Sequence, residues 1–226
     1  MPVMREWNLA IDADMVLRGQ GADPVPIRAK RPALVQIAED ALEMGKPLLQ
    51  PAVAYHELAV EGLRHEVLGL DGGSSLRGAL IAEQLAGAER VVALICTVGP
   101  ALEQRASEVM AEDPILGLAL EGVGSAGAEA LATAACHHFE ALRQGDGLYA
   151  TLPLNPGMVG WPVEQGQPQV FDVVDGSEIG VTLTGGIMMM PRKSISLVLG
   201  FRREPRAAAR PCDFCHMRES CRHRNN

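Results

Sequence analysis

The segment "DPILGLALEGVGSAGAEALATAACHHFEALR", from Asp113 to Arg143, constrains the fold more than any other stretch. Asp113 followed by Pro114 is a strong helix start, because the carboxylate can accept from free N–H groups and proline is tolerated in the first turn. Leu116, Leu120, Val123, Gly127 and Leu131 then recur at helical spacing and make an apolar stripe that runs toward Phe139 and Leu142. The side chains along "GVGSAGAEALATAA" are so small that neighbouring elements can pack very close to this helix. The expectation is a long central helix around which the rest of the chain is organised.

The flanking segments interleave helical and extended patterns without a repeat. Pro32 opens an amphipathic helix with Leu34, Ala38, Ala41 and Leu42 on one face, and Gly45 can end it. "PLLQPAVAYHEL" and "HEVLGL" read as extended, and "RVVALICTVG" as a buried strand. Ser74 or Ser75 is expected to cap a helix carrying Leu76, Leu80 and Leu85. After "LPLNPGMVGWP", a loop fixed by Pro153, Pro156 and Pro162, a short helix is predicted through Val170, Phe171 and Val174. "IGVTLTGGIMMMP" and "KSISLVLGF" are rich in β-branched residues and are expected to pair antiparallel across the turn at Pro191. The three methionines Met188 to Met190 alternate across a strand and are read as core filling. The fold class that follows is α+β: helices on a bent antiparallel sheet that includes residues 179–201, with a domain over 1–205 and a short cysteine-rich tail over 206–226.

Charge and cysteine usage narrow the functions. A chain of 226 residues that is 47% hydrophobic can bury a sizeable core, and a net charge of −8 argues against a broad basic surface for nucleic acid. Basic residues gather only in the last stretch, from "FRREPRAAARPC" to "CRHRNN". The N-terminus lacks the apolar core of a signal peptide, and no uncharged apolar run is long enough to span a bilayer, so the expected setting is the cytoplasm, with no membrane partner. There thiols stay reduced, and Cys212, Cys215 and Cys221, crowded in "PCDFCHMRESC", are better read as metal ligands than as disulfides. Their Cys-x2-Cys-x5-Cys spacing occurs in loops that hold four-iron, four-sulfur clusters, with Cys136, Cys96, a histidine or no residue as the fourth ligand. Zinc, completed by His216 or His223, and unligated thiols are the alternatives. Cys136, His137 and His138 are consecutive on a helix and point to different faces, so they are not a joint ligand set. "GLDGGSS" lacks the Gly-Lys-Ser/Thr ending of a phosphate loop, and no Ser-His-Asp or Cys-His constellation supports nucleophilic catalysis.

The second half carries a specific resemblance. "LNPGMVGWPVEQ", the downstream "VF", and "IGVTLTGGIMMMPRKSIS", together with the upstream "ICTVGPALEQR" and "LEGVGSAGAEALA", resemble the reactivation domain of cobalamin-dependent methionine synthase and its stand-alone relatives, over roughly residues 85–200. The resemblance implies binding of S-adenosylmethionine and its presentation to cob(II)alamin, with one electron from a flavodoxin or ferredoxin. It places Glu129 at a carboxylate that meets the ligand, and Asn155, Pro156 and Gly157 on the turn that lines its methionine part. Met158 stands where the family has an aromatic residue, and Leu152 and Pro153 stand where it has an arginine, which removes a strong bidentate contact to the ligand carboxylate. Lys193 and Ser194 close the family motif and can support the ligand loop or touch a partner. The chain has no Asp-x-His-x-x-Gly motif, so cobalamin is expected only on a separate corrinoid-binding methyltransferase. Two functions follow: a reductive reactivation partner for that protein, or a non-redox, zinc-stabilised module that docks on it.

Overall fold

A computed structural model describes residues 1–205, 210–215 and 219. The chain runs β1 (Val3–Met4), α1 (Ala13–Gly19), α2 (Pro24–Lys30), α3 (Pro32–Gly45), β2 (Ala52–Arg64), β3 (Val67–Leu70), β4 (Ser75–Arg77), α4 (Ala79–Gln84) and β5 (Arg90–Thr97). It continues through α5 (Ala101–Glu112), α6 (Pro114–Gln144), β6 (Tyr149–Ala150), α7 (Val163–Val173), β7 (Thr182–Leu183), β8 (Met189–Met190) and β9 (Ser194–Arg202). Seven strands form one antiparallel sheet in the order β4-β3-β2-β5-β9-β6, with β1 added on β2. The sheet bends within β2. Residues 52–59 pair with β5, residues 60–64 pair with β3, and the register shifts between Val60 and Gly62. The α+β class expected from the sequence is the class observed.

Helix α6 is the expected central element and spans 31 residues. Asp113 caps it by accepting from the Ile115 and Leu116 N–H groups at 3.1 Å. Its small residues admit close neighbours. A Cβ on Gly122 would lie 2.6 Å from the Val16 carbonyl oxygen of α1, and one on Gly117 would lie 2.6 Å from Met110 Cα of α5. By length and composition α6 could cross a membrane, which the sequence reading missed, but 61% of its most apolar window is buried against the rest of the protein. That burial is the mark of a core helix. Leu142, assigned to the apolar stripe, is instead 50% exposed, because the helix outruns the core.

Alternation along the central strands divides the interior in two. Val92, Leu94 and Cys96 of β5, with Leu197, Leu199 and Phe201 of β9, face α1, α3 and α6. Val91, Ala93, Ile95 and Val198 face α4, α7 and the loop that carries Leu154, Met158 and Trp161.

Three local expectations are corrected. Leu76 lies in strand β4, not in a helix; α4 begins only at Ala79, after Gly78, whose extended turn packs beside Trp161. The segment before Pro191 does not pair with β9. Thr182 pairs with Met190 and Leu183 with Met189 in a separate two-stranded hairpin, while β9 pairs with β5 along Ser194–Phe201. Two β-rich segments joined by a proline turn leave the choice of partner open, and β5 offers eight paired positions, the six from Val91 to Cys96 apolar, where the hairpin offers two. The methionines do alternate, but Met188 and Met190 point to solvent, 58% and 40% exposed, and only Met189 packs inward.

Candidate functional site

The candidate site is built where β9 begins. Leu154 pairs with Val198 through two main-chain bonds of 2.9 Å, which fixes the entry of the loop on the outer edge of β9. Asn155 Nδ2 then donates to the Ser196 carbonyl at 3.0 Å, so the side chain continues the pairing that its backbone abandons. Pro156 and Gly157 turn the chain, Gly157 at φ +102°. The turn is closed by Gly157 N–H donating to the Trp161 carbonyl at 2.8 Å and Trp161 N–H donating to the Met158 carbonyl at 2.9 Å. Met158 is turned inward, with its sulfur 3.2 Å from the Asn155 nitrogen. In the position that the family resemblance gives to an aromatic side chain, this chain therefore has an internal prop for the turn.

Trp161 anchors the far end. It is fully buried, and its indole lies between two glycines: a Cβ on Gly78 would be 2.9 Å from Cδ1, and one on Gly166 would be 2.7 Å from Cε2. Its Nε1 donates to Gln169 Oε1 at 3.3 Å, and that oxygen also accepts the Arg77 N–H at 2.9 Å. Gln167 of α7 accepts the buried Ser196 hydroxyl at 2.8 Å. The turn is thus held to β9, β4 and α7 together.

On the other side of β9 stands a charged cluster on α6. Lys193 Nζ lies 2.8 Å from Glu121 Oε2 and 3.0 Å from Ser125 Oγ, and its stem lies along Gly124, where a Cβ would be 3.0 Å from Lys193 Cγ. Lys193 is therefore not an exposed surface lysine; it is a half-buried tie between the start of β9 and α6. Arg192 bonds Glu103 of α5 and lies 3.3 Å from Glu121, and the Glu103 hydrogen bond holds its guanidinium above the usual arginine range. Glu129 follows Glu121 and Ser125 at four-residue intervals and is exposed on the same stripe, one turn beyond the Lys193 tie. No hydrogen bond or ion pair among the described residues joins Glu129 to the turn. Glu121, Ser125 and Arg192 were missed by sequence reading; the four-residue spacing of Glu121, Ser125 and Glu129 was the available signal.

The described cysteines fall into two groups separated by the sheet. Cys96 is completely buried on the helix face, and Cys136 of α6 packs beside the same core. Burial pushes both thiols up, that of Cys136 to about 12, with Glu140 adding to the effect. Cys212 and Cys215 are half-buried on a short turn from Pro211 to Phe214, and Phe214 packs against the opposite core. Cys96 and Cys136 are thereby removed as candidates for a fourth ligand. Cys221, His216 and His223 lie outside the described residues, and among the described residues no three His, Cys, Asp or Glu side chains converge on a metal position. The two described thiols are of the soft kind that iron–sulfur clusters and zinc take. Another concavity, of about 820 Å³, opens between α5 and the β7–β8 hairpin, lined by Glu103, Ser107, Thr182, Met190 and Pro191.

Helices on one face of a curled antiparallel sheet, with an anchored turn and two short helices on the other, define an α+β architecture that is found elsewhere. Among solved structures, the MetH reactivation domain bound to AdoHcy matches with a TM-score of 0.63, covering 90% of this chain and 73% of that one at 15% identity. The chain shares the fold of that domain. No protein-family model matches the chain, and no curated protein matches it.

Proposed function

We propose that this protein is a reactivation partner of a separate corrinoid-dependent methyltransferase of the methionine synthase type, working in the cytoplasm, and that it binds an S-adenosyl ligand at the Asn155–Met158 turn. The observation that carries the reading is the turn itself. It is anchored on both sides, it projects from the edge of β9, and it lies in a fold shared with a domain whose structure holds AdoHcy. Sheet alternation aims the Ser196 N–H at the same edge as that of Val198. In the absence of the family's arginine, this main-chain donor and Asn155 take the ligand's carboxylate, and Glu129 takes its amino or ribose groups. Arg192 and Lys193 are already committed to Glu103 and Glu121 and do not replace that arginine.

Cys212, Cys215 and Cys221 hold the metal centre in this reading. An iron–sulfur cluster there supplies one-electron transfer from a flavodoxin- or ferredoxin-type donor toward cob(II)alamin on the partner; zinc makes the tail a structural clasp, and the protein a docking module without redox chemistry. Iron, sulfide and zinc analysis on protein purified without oxygen decides between them. Iron matching sulfide, lost when the three cysteines are replaced by serine, supports reactivation, and zinc alone moves the function to docking. Calorimetry with S-adenosylhomocysteine tests the ligand: a saturable heat is expected, and none at millimolar ligand with folded protein overturns the assignment.

A further inference from the structure

Residues 210–215 and the turn are in direct contact. Val159, at the crown of the turn and 46% exposed, donates its N–H to the Phe214 carbonyl at 2.8 Å. The Phe214 ring packs against the core that contains Met158 and Trp161. The segment that presents it is stiffened locally: Arg210 N–H donates to Asp213 Oδ2 at 3.0 Å, Asp213 N–H donates to the Arg210 carbonyl at 2.9 Å, and Cys215 N–H reaches the Cys212 carbonyl at 3.4 Å. Cys212 and Cys215 flank Phe214, so the two thiols sit on the same short element that grips the turn.

We propose that Arg210–Cys215 is a clasp on the Asn155–Trp161 turn, through which the metal state of the Cys212–Cys215 pair and ligand occupancy of the turn control each other. The ligand half of this inference rests on reading the turn as an S-adenosyl site. The physical basis is linkage. A group bound by the two thiols restrains the backbone on either side of Phe214, and Phe214 restrains Val159, two residues from Gly157. Ordering either partner lowers the cost of ordering the other, and the effect is reciprocal.

Hydrogen exchange on the full chain is the test, with zinc ion as the metal probe and the α6 amides as the control for an intact fold. Phe214→Ala is expected to speed exchange of the Gly157, Val159 and Trp161 amides by about tenfold, leaving α6 unchanged. Zinc loading of metal-free wild type is expected to slow the same amides, and Cys212→Ser with Cys215→Ser to abolish that response. Phe214→Ala is also expected to weaken S-adenosylhomocysteine about fivefold or more, the lower range of allosteric coupling. Unchanged turn exchange in Phe214→Ala, or an unchanged response to zinc in the double serine variant, overturns the clasp. If exchange responds as stated while S-adenosylhomocysteine binds no form of the protein, the ligand reading fails and the clasp stands as a coupling between metal and turn.

Discussion

Replacing Gly166 of α7 by alanine sets two effects of opposite sign against each other. Alanine in a helix interior is favoured over glycine by about 1 kcal/mol. The new Cβ, however, would lie 2.7 Å from Trp161 Cε2 and 3.0 Å from both Cδ2 and Nε1. The indole has no free direction of retreat, since Gly78 closes its other side and Gln169 holds its nitrogen. Overpacking a rigid neighbour costs about 1–3 kcal/mol, so the clash wins, and Gly166→Ala is expected to destabilise by about 1 kcal/mol. For a chain of this size that is a fall in Tm of about 3 °C. The assay is urea unfolding of wild type, Gly166→Ala, Trp161→Phe and the double variant. Phenylalanine lacks the nitrogen and the fused ring that the Cβ meets, so in its background Gly166→Ala should turn neutral or stabilising, with a coupling of about 1 kcal/mol or more. If Gly166→Ala stabilises wild type as much as it stabilises Trp161→Phe, the indole is not confined and the account of how the turn is anchored is wrong.

Lys193→Met is expected to lose about 1–2 kcal/mol in urea unfolding because Glu121 keeps a half-buried charge, tempered by the nearby Arg192; adding Glu121→Gln should restore most of it. Glu129→Gln, at an exposed helix position, should leave Tm within about 1 °C while reducing the calorimetric heat with S-adenosylhomocysteine. Burial raises the Cys136 thiol from 9.0 to about 12, so between those values the unfolded chain releases a proton that the folded chain keeps. Stability should therefore fall as pH rises through that window, Cys136→Ser should flatten the fall, and iodoacetamide at pH 8 should label Cys212 and Cys215 of metal-free protein well before Cys136 or Cys96.

Where one element's own residues determine its state, the sequence was readable. Asp113 and Pro114 marked the start of α6, and the small residues after them implied the close crossings seen at Gly117 and Gly122. The run through Val91 to Cys96 marked a strand buried on both faces. What failed was partner choice. Nothing local to Ser194–Phe201 says that it pairs with residues a hundred positions earlier rather than with the adjacent hairpin, because β pairing is decided by the surface each strand finds. Leu76 failed for a related reason: the spacing of Leu76, Leu80 and Leu85 suits a helix, yet Gly78 breaks it and Leu76 is drawn into β4 beside Leu68. The turn at Asn155–Gly157 was legible as a turn from its Pro-Gly motif, whereas the engagement of Lys193 by Glu121, and of Val159 by Phe214, joins segments far apart in the chain.

The strand pair β5 and β9 is a party wall between two interiors, and this gives the molecule an uneven tolerance to redesign. The helical interior, furnished by α1, α3 and one face of α6, can be rebuilt with new apolar side chains while the rooms beyond the wall keep their shape, provided that Val91, Ala93, Ile95 and Val198 stay where they are. A slip of β5 by one residue would exchange the furnishings of both rooms at once, sending Cys96 toward the Asn155–Trp161 turn and Ile95 toward α6. Engineers who wish to graft this turn onto another scaffold should therefore carry the wall with it.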